Sequence, residues 1–215
     1  MSAVRRSSFL TAALCCGALT APFAGALSAQ SAQRFSVQAS GLYVGAYGDA
    51  YEGLKPGVGA EAQLRYTPSV WSFGVGGQMS SHDLNEPGFE GYKVKLTGAF
   101  FEPRRVIDVG SAQVAPYISA RFAYLRQSID LDLTDGVSTV DLKAEASGGQ
   151  VNVGGGLLFR MSPRINLDLG ATFGMIRFGD VEVNVPGYGQ TTVGGSSGTG
   201  QNLVVRAGLA IGLGK

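Results

Sequence analysis

Val58-Gly59-Ala60-Glu61-Ala62-Gln63-Leu64-Arg65-Tyr66 alternates without a break, with Val58, Ala60, Ala62, Leu64 and Tyr66 on one side and Gly59, Glu61, Gln63 and Arg65 on the other. A period of two belongs to a strand with one apolar and one polar face; 3.6 residues per turn would scatter these residues around a helix. Thr67-Pro68-Ser69-Val70 supplies turn chemistry. Trp71, Phe73, Val75 and Met79 then resume the alternation against Ser72, Gly74, Gly76, Gln78 and Ser80.

The pattern recurs outward in both directions. Phe35, Val37, Ala39 and Tyr43 oppose Ser36, Gln38 and Ser40, and Tyr92, Val94, Leu96 and Phe100 oppose Lys93, Lys95, Thr97 and Ala99. Ile118, Ala120, Phe122 and Tyr124 oppose Ser119, Arg121 and Ala123, while Val151, Val153, Leu157 and Phe159 oppose Asn152, Gly154, Gly156 and Arg160. Ile165, Leu167, Leu169, Ala171 and Phe173 oppose Asn166, Asp168, Gly170 and Thr172, and Leu203, Val205, Ala207, Leu209, Ile211 and Leu213 oppose Asn202, Val204, Arg206, Gly208, Ala210 and Gly212. The sum is eight strands of about nine residues, the ~9–11 that cross a bilayer at a tilt. In lipid only a closed sheet leaves no unpaired edge, so the expected fold is all-β: a closed antiparallel eight-stranded up-and-down transmembrane β-barrel.

Alternation would equally suit a soluble barrel with its apolar face inward. The polar face decides against that: it is rich in glycine and sparse in charge, where a wet outer wall needs many charged side chains. The aromatics Phe35, Tyr66, Trp71, Phe100 and Phe159 all fall on the apolar face at one end of their strands, as a membrane-interface girdle would.

Ahead of the strands, Arg5 and Arg6 precede an apolar run from Phe9 to Leu19 and small residues through Ala29, the pattern of a secretory signal peptide over 1–29. The 215 residues less those 29 leave 186, one domain over 30–215. Cys15 and Cys16 both lie in the leader, so the barrel domain has neither disulfides nor thiolate metal sites. Removing Arg5 and Arg6 from the 17 basic residues leaves 15 against 16 acidic ones, a balance that argues against nucleic-acid binding.

Short turns at 67–70 and 161–164 are expected to face the periplasm, and the segments near 46–57, 80–91, 126–149 and 178–201 to face outward. The connection from Glu102 to Val114 is long for a periplasmic turn. Asp135-Gly136 reads as a type I′ hairpin turn that would carry strands five and six above the membrane as a ribbon. Val181, Val183 and Val185 before Pro186-Gly187 suggest the same for the next pair, and Gly194 to Gly200 reads as a mobile segment.

Arg206-Ala207-Gly208-Leu209-Ala210-Ile211-Gly212-Leu213 is similar to the terminal assembly signal of the eight-stranded outer-membrane barrels of the OmpA transmembrane-domain and OmpX type, with Arg206, Gly208, Ile211 and Leu213 at its marked positions. The whole mature chain resembles that family, although it ends in Gly214-Lys215 in place of an aromatic residue. The resemblance implies the outer membrane of a Gram-negative-type bacterium as location. It also implies outer-membrane lipid, lipopolysaccharide and the barrel-assembly machinery as partners, with an extracellular ligand at the loops.

An eight-stranded barrel has room inside only for side chains or one small ligand, which excludes a wide pore. The inward charges read as Glu61 and Asp168 against Arg65, Lys93, Lys95, Arg121, Arg160 and Arg206, a basic excess of four. Glu61 is expected to pair with Lys95 and Arg206, and Asp168 with Arg160 and Arg121. The single histidine, His82, lies beside Ser80, Ser81 and Asp83, where a lipid-A-modifying barrel would place its catalytic groups, but neighbouring side chains on a strand point oppositely. One histidine makes no ordinary metal site. Asp130, Asp132 and Asp135-Gly136 faintly resemble a calcium loop with the wrong glycine spacing. The acidic outer loops could still hold divalent cations that bridge to lipopolysaccharide phosphates.

The expected function is therefore structural, surface-interacting or adhesive, without catalysis, cofactor or metal. A narrow anion-preferring channel is the alternative, and a lipid-A-modifying enzyme the third reading.

Overall fold

The computed structural model describes residues 33–85, 91–134, 139–185, 189–193 and 198–214. The leader, the Asp135-Gly136 and Pro186-Gly187 turns and most of the glycine-rich run after Val193 lie outside the described residues. The strands are β1 (Phe35–Tyr47), β2 (Gly57–Tyr66), β3 (Trp71–Asp83), β4 (Lys93–Val106), β5 (Val114–Thr134), β6 (Thr139–Arg160), β7 (Ile165–Val185), β8 (Gly189–Val193) and β9 (Thr199–Leu213), with a 3-10 turn at Asp49–Tyr51. All pair antiparallel with their chain neighbours as far as β7. Closure comes from β9, which pairs with β7 on one side and β1 on the other. The barrel thus has eight staves, β1–β7 and β9, as the alternation predicts.

Strand length divides the molecule into a wall and a projection. β5, β6 and β7 run for 21, 22 and 21 residues, about twice what crossing a bilayer takes. Their far halves stay registered, Ile129 with Ala144 and Ala144 with Val183, and β8 adds a fourth strand on Val181–Val185. The short connections 67–70, 107–113 and 161–164 gather at the other end with Phe35 and Leu213. Backbone bonds tie that end together, among them Thr67 N–H to the Arg34 carbonyl at 2.7 Å and Arg160 N–H to the Gln113 carbonyl at 2.8 Å.

The wall is oily outside. Val75 is 54% exposed, Val153 62% and Ile211 52%, within a belt of exposed apolar side chains on every stave. A patch that encircles the molecule is far beyond what a water-facing surface carries, and only hydrocarbon covers it without cost. Inside, Ser36, Gln38, Glu61, Arg65, Arg121, Asn152, Asn166, Asp168 and Arg206 are buried. The outward and inward faces agree with the alternation on all staves but one.

That exception is β4. Val94, Leu96 and Phe100, expected to face lipid, are buried inside the barrel, and Lys93 and Lys95, expected in the lumen, are exposed on the outer surface. The strand also continues through Glu102, Pro103, Arg104 and Arg105 to Val106, so the long connection expected from Glu102 shortens to 107–113. Glu102 and Arg104 point into the lumen at 0% and 2% exposure. The reason is the filling of the far lumen by an apolar cluster, against which Val94 and Leu96 pack as they would against lipid.

Candidate functional site: the braced lumen and its apolar cap

The lumen is filled in layers. At its centre Glu102 accepts from arginines on four different staves: Arg65 Nη2 at 2.9 Å, Arg104, Arg121 Nε at 2.7 Å and Arg206 Nη1 at 2.6 Å. Glu61 takes Arg121 Nη1 at 2.6 Å and has Arg206 at 3.9 Å. Asp168 accepts from Arg104 Nη1 at 2.6 Å, Gln38 Nε2 at 2.7 Å and the Tyr117 hydroxyl at 2.6 Å. The Arg104 guanidinium lies over the Tyr117 ring at 4.4 Å and that of Arg121 over Phe100 at 3.9 Å. Pairing this dense is what permits ionised groups to stay buried, since each charge finds opposite charge and hydrogen bonds together.

Glycine makes the space. A Cβ at Gly170 would collide with the Tyr117 hydroxyl, and one at Gly156 would lie 2.5 Å from it. The room that glycine leaves on the inner face is thus taken by tyrosine as well as arginine, since Arg206 Nε would also lie 2.9 Å from a Cβ at Gly170.

Several expected pairings are replaced. Glu61 pairs with Arg121 and Arg206 and not with Lys95, which is outside the barrel. Asp168 pairs with Arg104, while Arg121 turns to Glu61 and Glu102. Arg160 lies two residues nearer the short-turn end, half-buried opposite Asn166. Among the described buried charges the lumen holds Arg65, Arg104, Arg121 and Arg206 against Glu61, Glu102 and Asp168, so the basic excess falls from four to one. Glu102, Arg104 and Tyr117 were missed because Pro103 and Pro116 made their surroundings read as turn. Extending the parity of Phe101 by one and three positions would have placed Glu102 and Arg104 inside.

Above the charges Asn152 Nδ2 donates to Asn202 Oδ1 at 2.6 Å, and Gln150 Nε2 donates to Asn152 Oδ1 at 2.9 Å. Above these, Val94, Leu96, Phe100, Leu125, Ile176 and Phe178 close the lumen around Tyr51, which the first long connection folds inward. Tyr51 is 3% exposed and meets Phe178 edge-on at 6.4 Å. Below the charges, a cavity of about 40 Å³ lies among Gln38, Arg65, Ser72, Arg104 and Asn166, room for a water molecule or two.

His82 lies at the edge of the cap and is wholly buried. Being two apart on β3, Ser80 and His82 share the inner face, and Ser80 Oγ is 3.2 Å from His82 Nε2. In the neutral ring Nδ1 donates to the Lys55 carbonyl at 3.0 Å, which leaves Nε2 to accept from the serine. Asp83 points outward to Lys93 at 3.7 Å, both largely exposed. A nucleophile and a base are in reach of each other, and among the described residues the partner behind the imidazole is the Lys55 carbonyl in place of a carboxylate.

Of the girdle residues, Phe35, Tyr66 and Trp71 are exposed on the outer wall near the short-turn end, with Phe35 and Tyr66 ring centroids 4.9 Å apart. Phe159 lies half-buried on the same outer parity. Phe100 is a correction: it points inward beneath Arg121, and Phe101 takes the outer wall, stacked on Phe73 at 6.5 Å. On β9, Arg206 enters the lumen network, Gly208 passes so close to β1 that a Cβ would collide with the Ala39 carbonyl, and Ile211 and Leu213 face out. Among the described residues no group of three or more His, Cys, Asp or Glu side chains is placed to hold a metal ion, and the Asp130–Asp135 side chains lie outside the described ones.

The fold is that of the eight-stranded outer-membrane barrels. Neisserial surface protein A matches with a TM-score of 0.53 at 21% identity over 83% of this chain and 97% of its own. The outer membrane protein OprG of Pseudomonas aeruginosa aligns at 0.48 and 13% identity over 86% of this chain and 97% of its own. Ail, the attachment invasion locus protein of Yersinia pestis, aligns at 0.47 and 12% over 83% and 99%. No protein-family model matches the sequence, and no curated protein is significantly similar to it.

Proposed function

We propose that this outer-membrane barrel is a non-enzymatic surface protein: a braced, sealed anchor that presents a β-ribbon to the cell's surroundings. The observation that carries this is the four-stranded projection, in which β5, β6 and β7 stay paired beyond the wall, past a bulge between Ala146 and Gly148, and β8 joins them. Such a sheet gives a binder a stiff platform held clear of the lipid. In this orientation the short-turn end lies in the periplasm, the ribbons lie outside among lipopolysaccharide, and the leader is removed on export.

The interior supports the same view. A small-ion path would have to pass the arginine–carboxylate brace and the cap around Tyr51, and a lumen with an excess of one positive charge is a weak anion attractor. Catalysis by the Ser80–His82 pair would need an opening in that cap and a third group to orient the ring. The test is to replace 130–143 by a tight two-residue turn and compare adherence to host-cell monolayers and abiotic surfaces of cells bearing equal amounts of each protein. The shortened barrel is expected to keep its heat-modifiable migration and lose adherence. Adherence equal to that of the intact protein would overturn the proposal.

A further inference from the structure

On the outer wall near the short-turn end lies a notch of about 330 Å³, rimmed by Trp71 and Arg105 and lined by Pro103, Ile118, Ala120 and Val153. Its origin is a break in the sheet. β4 and β5 are registered at Phe101–Phe122 and again at Arg104–Ser119, but Glu102 and Pro103 have no registered partner there. Proline brings no N–H to that ladder. Small residues deepen the gap, because Ala120 faces Val153 and Ile118 faces Gly155 across the β5–β6 pair. The volume equals about ten water molecules at their liquid packing of ~30 Å³ each, enough for a stretch of hydrocarbon chain.

One charge sits at this oily notch. Arg105 points outward at the level of Trp71, its register partner, with the guanidinium 5.9 Å from the indole centroid. Its Nη1 is buried and has no hydrogen-bond partner among the described residues. The lumen arginines also leave one guanidinium nitrogen each without a hydrogen-bond partner, but every one of them is paired with a carboxylate, and among the described residues Arg105 is not. A cation left unmatched against an apolar wall calls for an anion, and guanidinium pairs best with a planar or tetrahedral oxyanion through two parallel N–H bonds. Tryptophan beside it marks the depth of the lipid headgroups.

We propose that the notch seats one anionic glycerophospholipid of the periplasmic leaflet, its phosphate on Arg105 and an acyl chain laid over Pro103 and Ala120. The site rests on the orientation given above, with the short-turn end in the periplasm. Phospholipid, and not lipopolysaccharide, is the lipid available at that end of an asymmetric outer membrane.

Trp71 is the chain's one tryptophan, so its fluorescence reports on the notch alone. The full barrel is reconstituted in phosphatidylcholine vesicles that carry a small fraction of phosphatidylglycerol with brominated acyl chains, and quenching is compared with that from brominated phosphatidylcholine. About fivefold enrichment of the anionic lipid beside Trp71 is expected, the weight of one basic residue at a charged lipid surface. Arg105→Gln and the notch-filling Ala120→Leu are each expected to return quenching to the bulk fraction, while Arg164→Gln, at the same end of the barrel, leaves it enriched. Heat-modifiable migration shows that each variant is folded. Quenching that follows bulk composition in the unaltered protein, or enrichment that survives Arg105→Gln, would overturn the site, as would a dimer on sedimentation that either notch variant dissolves. If Trp71 escapes quenching even in vesicles made wholly of brominated lipid, the failure is that of the membrane placement itself.

Discussion

The near and far halves of the lumen solve one problem by opposite means. Near the short turns the space is filled by a hub in which Glu102 holds four arginines from different staves; beyond Asn152 and Asn202 it is filled by Leu125, Ile176, Phe178 and Tyr51. A brace of charges fixes distances between staves, since each ion pair tolerates little drift. An apolar cap fixes none of them and simply excludes water. The wall is therefore held to a defined shape at the short-turn end and merely sealed at the other, which is where the chain leaves the barrel to build its ribbons.

The strongest blow to this contrast is Glu102→Ala. It leaves the four buried arginines with only Glu61 and Asp168, and unpaired buried charge of this kind costs about 3–5 kcal/mol. A clear drop in the denaturant midpoint of the detergent-folded barrel is expected, and an unchanged midpoint would remove the brace. Leu125→Ala in the cap is expected to cost about 2–4 kcal/mol through lost burial and the cavity left behind. If it cost nothing, the cap would be loosely packed and the seal in doubt.

Conductance sharpens the same comparison. The intact protein is expected to show no steady current in planar bilayers, and Tyr51→Ala with Phe178→Ala to add brief small steps at most, because the brace still blocks the near half. A steady anion current through the intact protein would favour the channel alternative. The smallest effect is outside the lumen, where Lys143 Nζ lies 2.7 Å from Glu145 and holds its carboxyl below the usual range. A carboxyl held low when folded adds stability above its unfolded pKa and loses it as pH falls through the folded one, but this pair is open to water and screened. Glu145→Gln is expected to leave the unfolding midpoint at neutral pH unmoved, and a substantial drop would mean the ribbon base matters to the barrel's fold.

How far the sequence could be read follows from the physics of the two halves. Period-two alternation placed the staves because hydrocarbon outside and a polar lumen inside differ at every step, as Val58 to Tyr66 shows. It failed on β4 because Val94 and Leu96 meet an apolar environment inside as well, which left Lys93 and Lys95 as the only guide, and both turn outward at the far end of the strand, opposite Asp83 and Ser81. The hub was hidden for a different reason. Glu102-Pro103-Arg104-Arg105 carries the composition of a surface turn, and that composition masks the parity by which the strand runs five residues further, from Glu102 to Val106. Pairing partners were beyond reach altogether, since Arg121 could choose among carboxylates on any facing stave and only the stagger of the closed sheet decides.

All thirteen residues of β1 are registered against β9, the last strand made against the first. The cylinder therefore cannot be zipped shut until β9 is in place, and β1 must wait with one backbone edge open until then. Whatever escorts the polypeptide before then has to shield that edge, and losing even the final few residues of β9 would leave a frayed slit at the short-turn end, where the charged brace lies nearest.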